Sequence, residues 1–289
     1  TRYRSSAASD VYKRQETWIV LGVGILLIAF PAAHGIVLTQ LYLPVTLMLM
    51  GLMLRGVAFD LRIKAGDEHK KLWNRAFFFG SLLAAMCQGW MLGSYITGLE
   101  LSLVNILFSL IIAVLLPAFY VLLGAGWLLM KTRDELLQKA FRWSQRVVLP
   151  VGVGIFRVSI ATPLVSERIA ERWMRWENLI WLWPIPLITS LAFLMILNLS
   201  RSNGWVYQGK SWILYVLCVL ICVMSSLGLG YSLFPYIVVD QLTLWEAAAA
   251  TESLLFTLFG VVLTVPAIIA YTVYVYRVFH GRNITLSYE

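Results

Sequence analysis

Charge is scarce in this chain of 289 residues: only 13% are Asp, Glu, Lys or Arg, about half the share found in soluble domains. With 60% hydrophobic residues and a mean hydropathy of +0.78, that scarcity excludes a soluble enzyme. The net charge of +8 is not gathered into one basic run but spread between apolar stretches, which excludes a disordered chain and a nucleic-acid partner. Cysteine is nearly missing. Cys87, Cys218 and Cys222 all lie inside apolar runs, so there is no disulfide framework or CxxC metal knuckle, and they read as small packed hydrophobes. Histidine is as rare, and His34, His69 and His280 fall at segment ends or in loops. Phosphate loops, GxSxG elbows and HExxH pairs are also missing, and the glycines of LGVGIL sit in an apolar run, where they serve helix packing.

What is present is a series of long apolar runs. A bilayer core of about 30 Å needs about 20 apolar residues per helix. Eight stretches qualify: 17–33, 36–59, 76–97, 107–130, 147–165, 179–199, 212–232 and 254–276. Pro44, Pro117, Pro184, Pro186 and Pro266 fall inside them and predict kinks. Trp18, Trp127, Trp173, Trp176 and Trp205 mark segment ends, where amphipathic rings settle among headgroups. Counted in alternate connections, 18 Lys and Arg lie on one side and three on the other, the three being Arg168, Arg172 and Arg175. Both chain ends and the basic loops are therefore expected in the cytoplasm.

Two arginines are left over. Arg55 stands near the end of the second stretch, five residues before Asp60, a spacing that places the two on adjacent helix faces. It reads either as an interfacial arginine reaching for water or as a charge set against a partner subunit or a proton path. Arg157, in VGVGIFRVSIATP, lies near the middle of the fifth stretch and must face protein or water. A charged side chain at such depth costs about 2.5–3.5 kcal/mol on insertion scales. Glu16, just before the first stretch, is an acid at the expected cytoplasmic boundary. The opening TRYRSSAASDVYKRQ changes abruptly into apolar helix, and residues 1–15 are expected to be a non-native or disordered polar tail. Residues 16–282 then form one transmembrane domain with halves at about 16–130 and 147–276, and 283–289 a cytoplasmic tail.

Several motifs occur in order. QETWIVLGVGILLIAFP at 15–31 resembles the NETW stretch of subunit II of cytochrome bd-type quinol oxidases, with Gln15 in place of Asn. RGVAFDLR at 55–62 is similar to that family's RGVAFEFR, and Trp73 with the run from Gly80 to Gly93 to its W...GS...QG pattern. SIATPLVS at 159–166 resembles its cyanide-insensitive branch. YSLFPYIV with LTLWEAA at 231–248, and VPAIIAYTVYVYRVFHG at 265–281, are similar to its late loop and last helix. Val239 departs from the family, where Pro is frequent, and leaves the shape of that loop open.

The resemblance implies an all-α polytopic membrane protein of two four-helix bundles, with about eight spans here and nine in a complete subunit. It implies a bacterial cytoplasmic-membrane heterodimer in which a haem-bearing subunit I holds haem b and haem d. That complex oxidises quinol and reduces O2 to water in membrane lipid. This chain itself would bind no haem or metal, with room for a structural quinone or lipid, and would support haem assembly, proton delivery and oxygen access. Matched residue by residue, Glu16 and Asp60 become proton-route candidates and Trp18 an oxygen-route candidate. Arg55 becomes an interface or buried charge, and Arg157 is grouped with it on the strength of its depth. The rival reading is a secondary transporter that uses Arg157 and Arg55 for a small anionic substrate, although the two halves show no repeat that aligns.

Overall fold

The computed structural model describes residues 17–132, 134–175, 180, 182–201, 204–205 and 210–278. In chain order the helices are α1 (Thr17–Ala29), α2 (Pro31–Gln40), α3 (Tyr42–Lys64), α4 (Asp67–Ile96), α5 (Leu103–Lys131), α6 (Asp134–Val165), α7 (Glu167–Met174), α8 (Pro184–Leu199) and α9 (Trp212–Leu233). A short hairpin of β1 (Tyr236–Val238) and β2 (Leu242–Thr243) follows, then α10 (Leu244–Ala247) and α11 (Thr251–Val278). Six of these helices are long and apolar enough to cross a membrane, and two further apolar ones, Val20–Ala29 and Pro184–Leu199, are shorter. The protein is thus an all-α polytopic membrane protein, the hairpin being its one short exception among the described residues.

Proline sets several boundaries that hydropathy alone misplaces. Expected spans at 17–33 and 36–59 are three helices, because Pro31, which lacks an N–H, closes α1 at Ala29 and opens α2. Pro44 lies in the first turn of α3 and Pro184 at the start of α8, so they begin helices and do not kink them. Pro117, Pro150, Pro163 and Pro266 do lie within helices. The expected loops at 60–75 and 131–146 are mostly helix. Asp67 and Glu68 occupy the first turn of α4, where acids favour the helix dipole, and the Lys139 ammonium lies 2.6 Å from the Glu135 carboxylate one turn away on α6.

The chain forms two compact units. One comprises residues 40–234, and within it α3 packs on α4, α4 on α5, and α5 on both α6 and α9, with α8 beside α9. Its core is built from Leu122, Leu129, Val151, Ile196, Leu214 and Ile221, all nearly inaccessible. At its edge α7 is tied to α9 by the Trp173 indole, which donates to the Ser232 hydroxyl at 2.9 Å.

The other unit joins residues 17–39 to residues 235–278. Here α1 packs on α11, and the Ala249 N–H donates to the Ala29 carbonyl at 2.9 Å, closing the end of α1. The hairpin turns at Val238–Gln241, with Asp240 in the left-handed region at φ 60°. Thr243 and Glu246 then form a reciprocal cap on α10. The Glu246 carboxylate accepts from the Thr243 N–H at 2.9 Å and hydroxyl at 2.7 Å, while the Thr243 hydroxyl accepts from the Glu246 N–H.

Candidate functional site

The residue that anchors the site is Arg55, and glycine places it. Helices α3 and α4 cross at Gly51 and Gly80, both buried, where their backbones nearly touch. One turn beyond Gly51, the Arg55 amide nitrogen belongs to the same contact. The Arg55 side chain is half-buried and its Nε has almost no accessible surface. The Cα–Cβ bond of a helical residue leans toward the helix N-terminus, which for Arg55 is the direction away from the charged Arg62–Lys64 end. Burial of Nε keeps the inner end of the guanidinium within the protein.

Asp60, 7.5 Å further along an ideal helix axis at about 1.5 Å per residue, is exposed near the charged end of α3. The two charges thus share one helix but sit in different surroundings. Trp18, in the first turn of α1, is 44% exposed on an apolar helix. Glu16 lies outside the described residues. Arg157 is exposed on α6, eight residues or about 12 Å of helix from its C-terminal end, and no hydrogen bond or ion pair to it is seen among the described residues.

Polar groups that sequence reasoning passed over lie on α4 and α5. The Tyr120 hydroxyl donates to the Gln88 side-chain oxygen at 2.9 Å, linking the helices. Further along, the hydroxyls of Ser94 and Ser109 are 3.4 Å apart beside a close backbone approach at Gly93. The visible signal was a glutamine and serines in apolar runs, which seek partners on neighbouring helices. Glu246, within the LTLWEAA motif, is a structural cap. Hydrogen bonds from the Thr243 N–H, and then from its hydroxyl, hold that carboxyl below its ordinary range.

The two described histidines lie on different helices. His34 belongs to the ten-residue α2, and His69 is exposed in the first turn of α4 among Asp67, Glu68 and Lys70. His280 lies outside the described residues. Met48, the one buried methionine among those described, packs with Ala84 and Cys87. Among the described residues, no cluster of three or more His, Cys, Asp or Glu could hold a metal.

Relatives give these positions a context. The family described as cytochrome bd terminal oxidase subunit II matches residues 2–279. Cytochrome bd ubiquinol oxidase subunit 2 of Bacillus subtilis is 24% identical over 289 aligned residues, covering 92% of this chain and 80% of that protein. Cytochrome bd-I ubiquinol oxidase subunit 2 of Escherichia coli strain K12 is 22% identical over 313 aligned residues, with the same two coverages. A probable cytochrome oxidase subunit 2 of Haemophilus influenzae is 23% identical over 310, again covering 92% and 80%. The transporter reading finds no comparable support. A match over nearly the whole length places the protein plainly: it belongs to the family of cytochrome bd terminal oxidase subunit II.

Proposed function

We propose that this chain is the haem-free subunit of a quinol oxidase of the bacterial cytoplasmic membrane, paired with a haem-bearing subunit I. The family match across residues 2–279 carries this reading, and the names of its relatives supply ubiquinol as the class of reductant. The haems, supplied by subunit I, would pass electrons from quinol to O2, which takes up protons to form water. The place of His69, exposed among charged residues in the first turn of α4, supports putting those groups in the partner. Each of the eight apolar stretches crosses the bilayer in this proposal, with the 18 basic residues and the C-terminus in the cytoplasm and a ninth span in the complete subunit.

The chain's own residues then have distinct tasks. Asp60, exposed at the charged end of α3, collects protons from water, and Glu16 serves the same face. A fixed positive charge keeps nearby carboxylates ionised and ready to accept a proton, which is the part given to Arg55. Trp18 lines the entry of an apolar route along α1, where O2 dissolved in lipid can pass. Deleting this chain from the operon and recording the absorption of the haem groups in purified membranes tests the proposal. Loss of both the haem d band and quinol-dependent oxygen uptake is expected; an intact, active oxidase without this chain overturns it. Within the assembled complex, Asp60→Asn and Glu16→Gln should slow proton uptake, and unchanged turnover in both removes them from the route.

A further inference from the structure

We infer that Gly51 and Gly80 are positioning residues for Arg55, and that the backbone contact between α3 and α4 exists to keep its charge inside the protein. A Cβ on Gly80 would stand 2.7 Å from the Gly51 carbonyl oxygen and 2.9 Å from the Arg55 amide nitrogen. A Cβ on Gly51 would stand 2.8 Å from the Gly80 oxygen and 3.0 Å from the Ala84 nitrogen. All four obstacles are backbone atoms, which cannot rotate aside as a side chain can. One added methyl must therefore move a whole helix.

Because Arg55 contributes its own amide to the contact, any such movement carries its guanidinium along. The same helix offers a matched control. Gly89 meets α5 as closely, with the Ile112 oxygen at 2.6 Å and the Ala113 Cα at 2.7 Å, yet no charged residue is among its neighbours there. Packing demands at the two crossings are alike, and only one has a cation attached. A role in helix packing alone would make the two glycines interchangeable in effect; a role in placing charge would not.

The inference rests on Arg55 serving the proton route, and the test separates the two. Oxygen consumption is measured per assembled complex, counted from haem absorbance, together with its kinetic solvent isotope effect. Arg55→Gln should slow turnover about tenfold, the equivalent of one pK unit of lost interaction with a proton carrier, and raise the isotope effect. Gly80→Ala should move both in the same direction, by about threefold in turnover, since displacements under 1 Å suffice at a positioned charge. The double variant should be no slower than Arg55→Gln alone. Gly89→Ala should lower the amount of complex while leaving turnover and isotope effect unchanged. If Gly80→Ala behaves as Gly89→Ala does while Arg55→Gln slows the enzyme, the positioning role is wrong. If Arg55→Gln changes neither quantity, the reading of Arg55 itself falls and takes the inference with it. Where Gly80→Ala assembles too poorly to assay, Ala84→Ser, one turn along the same face, gives a milder displacement. Loss of complex in both without any change in turnover per complex also overturns the idea.

Discussion

Helices α4 and α11 are both long and apolar enough to cross a membrane, yet a third of the apolar window of α4 is buried inside the protein and none of that of α11 is. The more apolar of the two is α11, so hydrophobicity does not decide which helix goes inside. Size does. Helix α4 buries Gly80, Ala84, Ala85, Cys87, Gly89 and Gly93, residues that let neighbouring backbones approach. Helix α11 presents Phe256, Phe259, Leu263 and other bulky side chains outward. In water the large apolar residues would be the ones driven inward. In lipid the outside is as apolar as the inside, and close contact becomes the reward for burial.

This contrast can be broken first at its strongest point. Leu122→Ala, in the core of residues 40–234, should lower thermal stability by about 2–5 kcal/mol, whereas Phe259→Ala on α11 should stay within about 0.5 kcal/mol. Thermal unfolding of the isolated chain in detergent measures both. An equal cost would mean that the outer face of α11 is packed after all. Next in size is Arg157→Leu. Removing an exposed charge from this apolar helix should favour membrane insertion by about 2.5–3.5 kcal/mol, read from insertion efficiency, and a lower efficiency would expose a partner for that charge. Smaller again is Tyr120→Phe, which removes one interhelical hydrogen bond to Gln88 and should cost about 0.6 kcal/mol.

The smallest effect belongs to the unit that holds α11. The Glu246 carboxyl has a lowered pKa in the folded chain, so its contribution to stability is complete above the ordinary carboxylate range and disappears as pH falls through the lowered value. Melting curves of Glu246→Gln and the parent chain should therefore differ at neutral pH and converge in acid. Curves that stay equally far apart at every pH would show that the cap does not depend on the ionised form.

Fold class was legible because eight apolar stretches and a one-sided distribution of basic residues leave little else for the chain to be. Boundaries were less so. Hydropathy sums apolar character and is blind to the missing N–H of Pro31, which divides one expected span, and to the salt-bridged continuation of α6 down to Asp134. Arg55 could be singled out because charge in an apolar run is conspicuous. The reason it stays inside could not be read, since Gly51 and Gly80 are 29 positions apart and only the fold brings their backbones together. The cap at Glu246 was hidden for the opposite reason: TLWE carries a Thr and a Glu three residues apart, a local signal passed over in an apolar region.

The hydrogen bond from Ala249 to Ala29 also sets a schedule. The carbonyl that ends α1 is made long before its partner, which is 220 residues later. At a synthesis rate of about 5–20 residues per second, that interval is roughly ten to forty seconds. During it, α1 has left the ribosome but lacks both its last hydrogen bond and α11, the helix it packs against. Helix α1 waits while the whole of residues 40–234 is made, and a ribosome stalled before position 249 leaves it permanently unfinished.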